Sequence, residues 1–95
     1  MKLYQLATIK TNFQDADFWL IRRGSESRVG EPSREFYKEH IGIKVTRTDI
    51  LLPDYLFYAL KHIQLRGYWA KRARGSLRLV SITVEDVRNI ELSSS

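Results

Sequence analysis

The chain has 95 residues, 43% of them hydrophobic and 28% charged, which suits one folded domain over 1–95 with a frayed tail at 93–95 and excludes a disordered chain. It has no cysteine, so disulfides, a thiolate nucleophile and Cys-ligated zinc or iron–sulfur centres are excluded. Sixteen Lys and Arg stand against eleven Asp and Glu, a net charge of +5, which favours a polyanionic partner; with no signal-peptide segment and no apolar run of about 18 residues, a cytoplasmic location and no membrane partner are expected.

Residues 3–9 are rich in β-formers and predict a strand, followed by a turn at Thr11 and Asn12. Residues 17–23 form an apolar run closed by Gly24 and Ser25, which predicts a buried strand. The stretch 24–32, with its glycines, serines and Pro32, predicts a loop emerging into solvent. Residues 33–40 fit a short helix or extended chain equally well. From Ile41 onward apolar and polar residues alternate, which puts Ile41, Ile43 and Val45 on one face of a strand and Lys44 on the other.

Pro53 is placed for the first turn of the longest helix. Along it Leu52, Leu56, Ala59, Leu60 and Ile63 make the predicted core stripe, with Phe57, Lys61, Gln64 and Tyr68 on an adjacent face and Gly67 at its end or bend. Residues 68–74 extend the helical pattern to Gly75. Residues 76–82 then predict a strand with Leu77, Leu79 and Ser81 opposed to Arg78, Val80 and Ile82. Thr83 and Asp86 have capping-box spacing, so a short helix through Ile90 follows, and Glu91 and Leu92 can add an edge segment. The expected class is α+β, a small mixed or antiparallel sheet packed against one main helix and a short C-terminal helix.

Catalytic and cofactor signatures are missing. His40 and His62 show no metal-ligand spacing, and no nucleotide-binding or nucleophile-elbow motif occurs, so no metal, cofactor or catalytic residue is assigned. The cations are more informative. No acid occurs between Asp54 and Glu85, whereas Lys61, Arg66, Lys71, Arg72, Arg74 and Arg78 do. Arg22, Arg23 and Arg28 flank the Gly24 loop, and Lys71, Arg72 and Arg74 lead into Gly75. If the flanking strands are neighbours, two glycine-bearing loops meet at one edge. Glycine then permits close backbone approach to a phosphate, Ser25 and Ser76 can donate, and arginine offers bidentate contacts. Trp19 reads as core, whereas Trp69 and Tyr68 suit either an anchor for the helix end or a surface beside nucleic acid.

Three pieces in this order resemble the target-recognition domain of the DNA-specificity subunit of type I restriction–modification systems, shortened, over about 17–92. They are the strand and turn from Asp17 through Gly24 and Ser25 with Arg28 after it, the Leu52-Pro53-Asp54-Tyr55-Leu56 helix start, and Gly75-Ser76 followed by Val80-Ser81-Ile82 and the 84–92 segment. The resemblance implies an α+β module that reads a DNA half-site, has no catalytic activity of its own and leaves methylation and cleavage to partner subunits. It departs from the family in showing no second recognition domain and no long helix to dock a methyltransferase. For a lone module, the contexts this implies are a half-subunit that dimerises, a remnant, or a small phage or mobile-element protein that uses the fold for other binding.

These readings converge on a non-enzymatic DNA-binding module, most simply for double-stranded DNA, with Arg22, Arg23, Ser25, Arg28, Lys71, Arg72, Arg74, Ser76 and Arg78 as its contacts. About six neutralised phosphates give a log–log salt slope near −5. One alternative is an interaction protein that docks another protein through the aromatic helix, which requires Phe57, Tyr58, Leu65 and Trp69 to form an exposed patch. Another is a small basic toxin-type ribonuclease in which His62 is essential.

Overall fold

The computed structural model describes residues 1–75 and 79–92. The first segment departs from the predicted strand: Leu3–Gln5 is a 3-10 turn, and β1 runs only over Ala7–Thr11. Leu3 is fully buried and its N–H donates to the Ile90 carbonyl at 2.9 Å, so this turn is held by the C-terminal part of the chain instead of by a neighbouring strand. Asn12, at φ 51, makes the expected turn, in a left-handed conformation that asparagine tolerates.

The apolar run 17–23 is divided between two sheets. Phe18–Leu20 is β2, buried throughout, and Arg23–Gly24 is β3. Between them the carbonyls of Ile21 and Arg22 accept from Gly30 N–H at 2.8 Å and Ile82 N–H at 3.0 Å, so the chain leaves one ladder and joins another within two residues. Pro32–Ser33 is β4 and Ile41–Val45 is β5. Residues 33–40 are therefore extended and turn, without a helix. The alternation in β5 is as expected, with Ile41, Ile43 and Val45 buried and Lys44 exposed.

Pro53–Leu65 forms α1 with the proline at its first turn. Its buried face is Leu56, Phe57, Leu60 and Gln64, rotated from the predicted stripe, and Leu52 stands 64% exposed as the N-cap. Two contacts account for the rotation. Phe57 meets Phe18 of β2 edge-on at 5.3 Å, and Gln64 donates from Nε2 to the Ser27 carbonyl at 2.7 Å, which offsets the cost of burying its amide. Gly67, at φ 85, separates α1 from α2, Tyr68–Arg72.

Arg74–Gly75 is β6, Val80–Ser81 is β7 and Val84–Arg88 is α3. The strand expected over 76–82 is thus confined to Val80–Ser81 in its described part, and the readings of Ser76, Leu77 and Arg78 lie outside the described residues. Thr83 caps α3 as its spacing implies: Asp86 N–H donates to Thr83 Oγ1 at 3.0 Å and Thr83 N–H to Asp86 Oδ2 at 2.8 Å. Glu91 forms a bridge with Lys2.

Among the described residues these elements give two antiparallel sheets, one in the order β1-β5-β2-β4 and one in the order β3-β7-β6, with one main helix and a short C-terminal helix. The class is α+β with two sheets instead of one. A single apolar core joins them, including Phe18, Leu20, Ile43, Leu60, Trp69 and Ile82. The loop expected to emerge into solvent also contributes to it: Val29 is fully buried and Gly30 lies under Trp69. The radius of gyration is 12.4 Å, about that of a close-packed domain of this length. Among the described residues no helix is long and apolar enough to cross a membrane.

Candidate nucleic-acid interface

The small sheet is what gathers the cations. Arg23 and Arg74 both pair with Ser81, from opposite sides of β7, and Gly24 and Gly75 both pair with Val80. Residues in one cross-strand row project from the same face. Because Val80 is buried and both arginines are exposed, the row Arg23, Ser81, Arg74 faces outward, its two arginine backbones about 10 Å apart at two strand spacings. The two glycine-bearing segments do not touch directly, as a shared edge would require; β7 lies between them.

A cleft opens on each side of this row. On the β3 side Arg22, Arg23, Glu39 and His40 line one of about 310 Å³. On the β6 side a shallower groove of about 600 Å³ is lined by Lys71, Arg72, Arg74, Asp86 and Asn89 with the α2 aromatics. Lys71 and Arg72 occupy the last turn of α2, where the helix dipole favours positive charge. Arg72 is held in place, with its guanidinium 3.7 Å from the Tyr68 ring centroid and Nη1 donating to the Tyr68 carbonyl at 3.0 Å. The Asp86 carboxylate of this groove is engaged with Thr83 N–H.

Elsewhere carboxylates pair with other cations. Glu31 pairs with Arg28, Asp54 with Arg34, Asp49 with Arg47, Glu85 with Arg88, and Glu91 with Lys2 and the N-terminal amine. Among the described residues, no ion pair involves Arg22, Arg23, Lys71, Arg72 or Arg74. Five cations without an ion-pair partner among the described residues therefore stand around one three-stranded sheet.

The other predicted contacts fare differently. Arg28 lies against Gly24 but its Nε donates to Glu31 at 3.0 Å, which neutralises it locally. Ser25 Oγ is 3.1 Å from Ser27 Oγ, a hydrogen bond within its own loop. Ser76 and Arg78 lie outside the described residues. Trp19 is core, donating from Nε1 to the Phe13 carbonyl at 2.8 Å. Trp69 is 1% exposed, so it anchors α2 and offers no stacking surface. The patch required for docking through the aromatic helix is broken, because Phe57 and Trp69 are buried while only Tyr58 and Leu65 are exposed.

Glu39 and His40 are residues of the β3-side cleft that sequence spacing missed; the His40 side chain is the more constrained. Its imidazole stacks obliquely on Tyr37, centroids 5.1 Å apart, and Nδ1 is buried without a hydrogen-bond partner. Burial lowers its pKa, opposed by the Glu39 carboxylate, so the ring is neutral at pH 7. Nothing local in residues 33–40 signals this; the cleft exists because the fold brings Glu39 and His40 beside Arg22 and Arg23. His62, by contrast, is exposed on α1. Among the described residues no group of three or more His, Asp or Glu side chains is arranged to hold a metal ion. Compared with family models, curated proteins and solved structures, the chain shows no match.

Proposed function

We propose that the chain is a non-enzymatic DNA-binding module whose contact surface is the β3-β7-β6 sheet with its two flanking clefts. The observation that carries this reading is the register that sets Arg23 and Arg74 on either side of Ser81, with Arg22, Lys71 and Arg72 beside them and no described carboxylate paired to any of the five. Such a surface suits the phosphate backbone of a duplex, where affinity comes chiefly from release of condensed counterions. The resemblance to a type I restriction target-recognition domain agrees with it and adds the expectation of sequence preference.

The reading is tested by fluorescence anisotropy with duplex and single-stranded oligonucleotides at two ionic strengths. Arg28 being paired, about five phosphates are neutralised by the described cations, which gives a log–log salt slope of about −4.5. Changing Arg72 and Arg74 together to Ala weakens binding across sequences while the circular dichroism spectrum is unchanged. Affinity indifferent to salt, or unaltered in that variant, removes the proposal.

A second reading has one observation in its favour. Ile50, Leu52, Tyr55 and Tyr58 are each more than half exposed at the start of α1, beside an apolar groove of about 400 Å³ that includes Leu51, Ala59 and Leu92. Grouped exposed apolar side chains are a feature of protein-docking surfaces. If the chain also binds a protein, this end of α1 is the place, and Tyr55→Ser with Tyr58→Ser abolishes that binding without altering DNA affinity.

A further inference from the structure

We propose that the cleft lined by Arg22, Arg23, Glu39 and His40 receives an unpaired guanine base. The inference rests on the nucleic-acid reading of the cationic surface and names what one part of that surface selects. Its starting point is the carboxylate. A site built only for a phosphate gains from each added cation and loses from an acid on its wall, yet Glu39 lines this cleft together with the two arginines.

The set of groups matches a ligand that offers acceptors on one side and donors on another. Guanidinium is a planar fork of donors, and carboxylate is a pair of acceptors. Guanine presents adjacent O6 and N7 acceptors, which arginine takes bidentately, and on the neighbouring edge the N1–H and N2–H donors, which a carboxylate takes bidentately. Cytosine offers two adjacent acceptors but one donor group, adenine places its donor between two acceptors, and thymine has a single donor. Guanine is the base that engages both forks fully.

The cleft's size agrees. About 310 Å³ lies at the lower end of sites that hold small organic ligands, roughly 300–1,000 Å³. His40, neutral through burial of its ring, adds no net charge, and its buried Nδ1 has no protein partner. The base must be unpaired, because the N1 and N2 donors are occupied in a duplex and a concave cleft cannot reach a recessed base edge. The guanine is therefore single-stranded, overhanging or extruded from the helix.

The test uses the full chain and four single-stranded oligonucleotides: all thymidine, and the same sequence with one central guanine, one 7-deazaguanine or one cytosine. Expected is binding at least about fivefold tighter to the guanine oligonucleotide than to all thymidine, with the gain lost on removing N7 and absent for cytosine. Glu39→Gln abolishes the gain; Glu39 is exposed, so the fold is retained, as circular dichroism checks. Arg72→Ala with Arg74→Ala, on the far side of β7, weakens all four oligonucleotides equally and leaves the ratio standing. Equal binding of all four, or Glu39→Gln tightening all of them alike, overturns the guanine site and leaves the cationic surface intact. A duplex oligonucleotide is titrated alongside: if it binds at low salt and none of the four does, the surface reading stands and the guanine site is overturned; if neither it nor the four bind, the surface reading falls, and the cleft is then judged alone by NMR, where a His40 ring shift with guanosine monophosphate and not with thymidine monophosphate supports it and its absence overturns it.

Discussion

Gly30 sits at φ 81, and a Cβ added there would lie 1.8 Å from Trp69 Cδ1. Both its backbone conformation and the indole above it thus require glycine. Gly30→Ala is expected to cost about 3 kcal/mol in urea denaturation, far more than Gly67→Ala, where the added atom meets nothing within 4 Å and the cost is left-handed strain of about 1 kcal/mol. His40 gives the residue scale a pH signature. In the unfolded chain its imidazole titrates near the ordinary 6.5, and in the folded chain lower, because burial opposes the charge more than Glu39 favours it. Between those two values the unfolded state holds more protons, so the His40 contribution to stability falls as pH drops below about 6.5. His40→Gln removes that part of the slope, which thermal denaturation across pH 5 to 8 measures.

Among the elements, α3 is the one most fully specified locally. Its reciprocal cap between Thr83 and Asp86 predicts a loss of about 1 kcal/mol for Thr83→Ala by denaturant titration. β7 carries the clearest functional prediction. Ser81→Glu sets a carboxylate between Arg23 and Arg74, and is expected to lower the magnitude of the salt slope by about one unit while the core beneath Val80 holds the fold. The elements legible in the sequence were those with a signal inside their own length: the alternation of β5, the proline start of α1, the glycine break at Gly67 and the capping box of α3. The division of 17–23 into β2 and β3 was not, because an apolar run looks the same whether it stays in one ladder or changes ladder at Ile21. Strands of two residues such as β3, β6 and β7 carry no period at all. The α1 stripe was misplaced by the distant partners Phe18 and Ser27, which a helical wheel does not contain.

For the molecule as a whole, the cationic residues were legible by type and by their depletion of acids, but not their assembly. That assembly depends on the order β3-β7-β6, which joins segments about fifty residues apart in sequence and leaves Arg28 outside through its bond to Glu31. His40 and Glu39 entered the site by the same long-range folding. A polyanion that binds only the assembled surface stabilises the fold by linkage, about 2.7 kcal/mol at a hundredfold excess over Kd, so the denaturation midpoint is expected to rise with added duplex DNA and the rise to vanish in high salt.

The division of labour between the two sheets has a mechanical consequence. The larger sheet has a five-residue register between β1 and β5, whereas among the described residues β3 meets β7 over two. So few ladder bonds open at lower free energy than the body of the protein. Amide exchange should accordingly be fastest at the surface that carries the charges, which lets the molecule loosen its grip on a polymer and take hold again without melting its interior.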